Sequence, residues 1–211
     1  MSYFANNEIT IEVTNRCAAK CIMCPREKMT QNLDVMSLDV YKKIIDNSNE
    51  LGIEIIDLCG YGDVFLDRTL EEKLAYTKKV NKNFKIYIST TGNALRENIH
   101  DWVFKYTDIL KFSIYGFSED VYKKVMGGLK YSKSLTNIIK FLEINKKFNN
   151  KIYTIGNYIR MDENKHEEKD WKKFWEPKLD EIYVWLPHNY VDGRKYRTID
   201  KTQQKTCGRP L

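Results

Sequence analysis

Glu8-Ile-Thr-Ile-Glu-Val-Thr-Asn-Arg-Cys17-Ala-Ala-Lys-Cys21-Ile-Met-Cys24-Pro25 decides the reading of this chain. Its first half alternates apolar and polar residues, the period of a half-buried strand. Its second half is a C-x3-C-x2-C run, so a strand leads straight into a loop of three thiols. Outward from this stretch, short apolar runs alternate with longer segments of helical period. Strands are expected at Glu8–Val13, Ile53–Leu58, Phe84–Ser89, Ile109–Ile114, Lys151–Ile159 and Glu181–Leu186. Helices are expected at Ser37–Asn49, Leu70–Val80, Leu95–Lys105, Leu135–Lys147 and His166–Phe174, with a further turn or two at Ser118–Val125. Ser37 and Asn164 are placed to cap the first and last of these. Strands each followed by a helix form a βαβ array, and right-handed crossovers make its sheet parallel, an α/β fold.

Composition narrows the function. A chain of 211 residues can bury one sizeable core without disulfide staples. No secretion signal opens it, and no apolar run approaches the roughly 18 residues of a membrane span, so a cytoplasmic location is expected. The net charge of +6 is spread over lysines on amphipathic segments. No compact basic tract interleaves with aromatics, which argues against a nucleic-acid partner. Five cysteines, three of them clustered, read as metal ligands rather than a disulfide framework.

Cys17, Cys21 and Cys24 can hold three irons of a [4Fe–4S] cube and leave the fourth iron open to a small molecule. The competing reading is zinc, with Cys59 as a fourth ligand, although structural zinc usually takes two separated pairs. Reactive residues of an α/β array gather at the carboxyl ends of its strands. The cysteine loop falls there, and so do Cys59-Gly60-Tyr61-Gly62-Asp63, Thr90-Thr91-Gly92-Asn93 and Ser113. Each also has a bland reading: a tight turn, a helix-capping hydroxyl, a strand-end serine, and for Cys59 a small buried apolar residue. His100 and His166 are expected on helix surfaces, and His188 on the rim. Tyr115, Tyr158 and Trp185 are either cavity walls or barrel packing.

Together these features resemble the radical S-adenosylmethionine (SAM) superfamily over residues 7 to 186. The resemblance implies a partial (β/α)6 TIM-like barrel of parallel strands. Met23 stands at the variable place of the family's C-x3-C-x-Φ-C motif, against the adenine of SAM. Gly60, Tyr61, Gly62 and Asp63 stand where a Gly-Gly-Glu motif meets the methionine amino group, although Asp63-Val64 replaces the usual Glu-Pro. Thr90 and Thr91 match the Thr-Asn-Gly segment, and Ser113 the serine near the SAM carboxylate. Many relatives carry an arginine where Met126-Gly127 stands here, so Arg160 is the cation expected to meet that carboxylate.

The Asn-Arg-Cys…Cys-Ile-Met-Cys-Pro form resembles the branch with a SPASM or twitch extension. Residues 1–187 then form the core barrel and 188–211 the start of an incomplete extension. Cys207 would begin an auxiliary Fe–S cluster if the chain continues past Leu211, and truncation is the expected explanation. The implied function is reductive cleavage of SAM at a [4Fe–4S] cluster to a 5′-deoxyadenosyl radical. That radical abstracts hydrogen from a substrate, with oxidation of a sugar or aminocyclitol alcohol as the reaction the resemblance favours. The alternatives are a maturase of ribosomal peptides and, in another class, a non-catalytic Fe–S or zinc protein. The implied partners are a small-molecule or peptide substrate and a reducing electron donor such as flavodoxin or ferredoxin.

Overall fold

A computed structural model describes residues 7–188. The extension expected at 188–211, with Cys207, lies outside the described residues save for His188. In chain order the first elements are β1 (Glu8–Ile11), β2 (Lys20–Cys21), α1 (Leu38–Glu50), β3 (Ile55–Leu58), α2 (Leu70–Val80), β4 (Lys85–Thr90) and α3 (His100–Tyr106). They are followed by β5 (Ile109–Ser113), α4 (Glu119–Val125), β6 (Met126–Gly127), α5 (Tyr131–Lys147), β7 (Tyr153–Ile159), α6 (Glu168–Trp175) and β8 (Glu181–Trp185).

Six of the strands form one parallel sheet, as the βαβ reading expects, in the order β1-β3-β4-β5-β7-β8. Residues of all six, from Glu8 on β1 to Glu181 on β8, line one small cavity at the amino-terminal end of the sheet. The sheet therefore curls into a partial barrel whose two edges are β1 and β8. Side chains alternate across each strand. Ile56, Leu58, Ile86, Ile88, Leu110 and Phe112 are completely buried on the helix-covered outer face. The residues in the other phase, among them Asp57, Ser89, Lys111 and Asn157, face the lumen, and register sets Ser89 beside Lys111 and Ser113 beside Asn157. Aromatic side chains close the helical layer, with Tyr41, Trp171 and Trp175 all buried, each contributing about 2–3 kcal/mol by area.

Several boundaries differ from expectation for physical reasons. β3 begins at Ile55 because the amides of Glu54 and Ile55 both donate to the Asn7 carbonyl, outside the ladder. α5 begins four residues earlier than its local pattern suggests, because the Glu119 carboxylate of α4 accepts the Tyr131 and Ser132 amides at 3.1 and 3.0 Å. Ser37 caps α1 as expected, accepting from the Val40 amide. Asn164 does not cap α6. Its side chain accepts from the Met161 amide and donates to the Tyr115 and Ile159 carbonyls, tying the exits of β5 and β7 together. His100 is buried rather than exposed, set edge-on to Phe104 and Phe141. Burial holds its pKa below the ordinary histidine value. Among the described residues no helix is long and apolar enough to cross a membrane.

Candidate active site at the cysteine loop

The cysteine loop is fastened at both ends. Thr14 opens it, its hydroxyl donating to the Asp34 carbonyl at 2.8 Å while accepting from the Arg16 amide. Its middle forms the β2 strand, which pairs antiparallel with β6 so that Cys21 lies opposite Met126. The Ile22 amide adds a hydrogen bond to the Val125 carbonyl at 3.0 Å. Gly128, at φ +87°, could not carry a side chain there, because a Cβ would fall 2.5 Å from the Ala18 carbonyl oxygen. Met126-Gly127 thus holds the loop from 105 residues away. The Arg26 guanidinium, largely buried, donates to the Ala19 carbonyl at 2.7 Å and braces the loop from its far end.

Cys17, Cys21 and Cys24 are in the thiol form, outside any disulfide, and half-buried. Burial raises the Cys17 thiol above the usual value and pushes Cys21 up to about 12, so both are protonated when the loop is empty. Among the described residues, no group of three or more His, Cys, Asp or Glu converges on a single-ion site. The Cys21 thiol feels both Cys17 and Cys24, so the three sulfurs lie within electrostatic range of one another on one short loop, as the three protein ligands of an Fe–S cube do. The three-thiol donor set therefore fits a [4Fe–4S] cluster.

The loop after β3 packs against this cradle. A Cβ on Gly62 would stand 2.0 Å from the Thr14 carbonyl oxygen, so only glycine lets the two loops touch. The Asp63 amide donates to the Arg16 carbonyl at 2.9 Å. The Asp63 carboxylate, 4% exposed, then reaches the other way. It accepts from the Thr90 hydroxyl at 2.9 Å, the Thr91 hydroxyl at 2.7 Å and the Thr91 amide at 3.0 Å. Three segments distant in sequence thereby lock together at the carboxyl end of the sheet.

Beside them opens a cavity of about 170 Å³. Gly60, Gly62, Asp63, Thr90, Thr91 and Ser113 line it, so six of the residues expected around SAM converge on one space. Three others do not line it. Tyr61 is exposed, with its amide donating to Glu12; Met23 is buried in the hydrophobic core; and Arg160 points to Glu168, which clasps its guanidinium in a bidentate pair. Sequence reading missed Ser89, Lys111 and Asn157, which line the same cavity, and Cys59 joins them in place of a purely apolar role. Lys111 carried a signal, a lysine two residues before Ser113 in an otherwise apolar strand and hence on the same face. Tyr115 is a wall of the cavity, whereas Tyr158 packs against Trp171 on the outer side.

The family model described as the Radical SAM superfamily matches residues 11–170. The GTP 3',8-cyclase of Desulforamulus reducens is 25% identical over 144 residues, 65% of this chain and 43% of that protein. The antilisterial bacteriocin subtilosin biosynthesis protein AlbA of Bacillus subtilis is 31% identical over 88 residues, 42% of this chain and 19% of that protein. The matched stretch thus spans less than half the length of either relative. Among solved structures, anSMEcpe with bound AdoMet superposes with a TM-score of 0.67 at 16% identity, covering 86% of this chain and 51% of that one. BtrN in complex with AdoMet and 2-DOIA gives 0.55 at 16% identity, covering 71% and 56%. At such identities the two structures speak for a shared fold.

Proposed function

The chain belongs to the radical SAM superfamily, and on that premise we propose that it binds a [4Fe–4S] cluster and SAM at the carboxyl end of its barrel and uses them for radical chemistry. Bound there, the two cofactors supply one-electron cleavage of the SAM sulfonium to a 5′-deoxyadenosyl radical, which takes a hydrogen atom from a substrate. The single observation that carries this reading is the contact at Gly62, which presses the loop after β3 onto the cysteine cradle beside a polar cavity.

Each part of the chain has its own task in this reading. Cys17, Cys21 and Cys24 hold three irons. The backbone of Gly60 and Gly62, at the cavity wall, is offered to the methionine end of SAM. Asp63 acts through Thr90 and Thr91, fixing the floor on which SAM rests, because its carboxylate is already occupied by their donors. Ser113 presents its hydroxyl from the end of β5. The surrounding barrel excludes water, and a bound substrate is held close enough to be the radical's first partner.

For the substrate, the polar lumen supports a small hydroxylated molecule such as a sugar or aminocyclitol alcohol. A second reading, modification of a peptide, is favoured by the likeness to AlbA. The electron donor would be a reduced flavodoxin or ferredoxin. Anaerobic reconstitution followed by reduction with SAM tests the reading, with 5′-deoxyadenosine as the expected product. A fully loaded cluster that leaves SAM intact would point instead to a non-catalytic Fe–S protein.

A further inference from the structure

We propose that Lys111 forms an anion subsite in the barrel lumen that receives a carboxylate of the substrate, an inference that rests on the function proposed above and names the substrate class. Lys111 is the cationic residue among those lining the cavity, and its place on β5 puts it below Ser113, deeper in the barrel. Its ammonium lies 4.9 Å from the centre of the Tyr87 ring. Among the described residues, no carboxylate stands within ion-pair distance of it. Burial works against the charge, yet Tyr87, Cys59 and Asp57 around it outweigh that burial and hold its pKa above the ordinary lysine value. The group is therefore a cation at the cavity wall with no direct ion pair, placed to meet the anionic end of a ligand.

The polar atoms beside it suit a small acid. Ser89, its register neighbour, brings a hydroxyl to the same wall. Asn157, which lines the same wall, has a buried Oδ1 with no hydrogen-bond partner among the described residues, while its Nδ2 donates to the Tyr115 hydroxyl at 3.3 Å. One ammonium and one hydroxyl match a carboxylate monoanion. A phosphate dianion calls for more N–H donors than this wall offers. The unpartnered Asn157 oxygen adds a place for a hydroxyl or amine donor on the same ligand. The expected substrate is a small hydroxy or amino acid, or a residue that presents those groups.

Cys59 supplies a reporter, since its thiol lines the same cavity and feels the Lys111 charge. Cluster-loaded protein, kept anaerobic and oxidised, is treated with iodoacetate or with neutral iodoacetamide, and alkylation of Cys59 is followed by peptide mass spectrometry. The ratio of the two rates should exceed that of Cys59 in the urea-denatured chain by roughly tenfold, the effect of one opposite charge at short range in a half-buried site. Lys111→Met should abolish the excess and Lys111→Arg should keep it. An equal ratio in wild type and Lys111→Met overturns the proposal. Adding SAM distinguishes the two sources of a carboxylate: an excess that persists supports a substrate subsite, and one that vanishes assigns the subsite to SAM and overturns it. If Cys59 resists both reagents, saturation-transfer NMR with acetate decides. A signal lost in Lys111→Met and kept in Lys111→Arg supports the subsite, and equal signals in all three proteins overturn it. Formation of 5′-deoxyadenosine by the untreated wild type reports separately on the cofactor reading.

Discussion

The carboxylate of Asp63 accepts both the hydroxyl and the amide of Thr91, at 2.7 and 3.0 Å. One side chain thereby ties the loop that touches the cysteine cradle to the end of β4. In Asp63→Ala the donors of Thr90 and Thr91 lose their buried acceptor, at a cost of about 2–3 kcal/mol. Thr91→Val, which removes one hydroxyl, should cost about 1 kcal/mol. Urea unfolding of the three proteins checks the order. SAM affinity should fall about tenfold in Asp63→Ala and partly recover in Asp63→Asn, which keeps one acceptor oxygen.

Gly60 and Gly62 separate a soft contact from a hard one. A Cβ at Gly60 meets the Glu12 side chain back to its own Cβ at 2.8 Å, so rotation of the carboxylate relieves only part of the clash, whereas one at Gly62 stands 2.0 Å from the Thr14 carbonyl oxygen. Gly62→Ala should fail to hold a cluster or lose more than about 2 kcal/mol of stability, while Gly60→Ala should keep the cluster and lose about 1 kcal/mol. Iron and sulfide content after reconstitution, with thermal melts, measures both. Equal behaviour of the two variants would contradict the packing argument.

Lys73 and Asp67 form an ion pair with both side chains at 0% exposure. The Lys73 ammonium also donates to the Met36 carbonyl at 2.6 Å, so it holds the entry to α1 as well as α2. Lys73→Met leaves a buried carboxylate unpaired and should cost about 3–5 kcal/mol. Removal of both charges in Lys73→Met with Asp67→Leu should cost much less, a difference that chemical denaturation resolves.

Glu168 is held at a pKa of about 2 chiefly by Arg160, with Lys172 adding to it. Because the folded value lies below the ordinary 4.5, this pair stabilises fully above pH 4.5, and the benefit disappears as pH falls toward 2. Glu168→Gln should be less stable than wild type by about 1 kcal/mol at pH 7, a modest value since Arg160 is half exposed. The two melting curves should meet near pH 2. Arg160→Gln should leave SAM affinity within about twofold, because the guanidinium stands outside the cavity; a larger loss would restore it as the carboxylate's partner.

What the sequence revealed follows the range of the forces involved. The periods of Ile55–Leu58 or Ile109–Ser113 and of the helices between strands are local, so the elements and, through right-handed crossovers, the parallel sheet were legible. The start of α5 was not, since its cap comes from Glu119 on another helix. The fastening of Cys21 to Met126 could not be seen either, because it joins segments 105 residues apart through a two-residue ladder. Met23 was read from its place in a motif and Arg160 from its place at the end of a strand, and neither reading carries the packing that sets one in the core and the other beside Glu168. Lys111 escaped notice because a single polar residue in an apolar strand looks like an ordinary solvent-facing position until the sheet curls.

The most direct test follows the cluster while SAM is added. In anaerobically reconstituted, reduced protein, the electron paramagnetic resonance signal should shift on addition of SAM and then decay as 5′-deoxyadenosine accumulates. A Cys17→Ala, Cys21→Ala or Cys24→Ala variant should lose both effects. A reduced [4Fe–4S] signal unaltered by SAM, or a loop that takes up only zinc, would contradict the account.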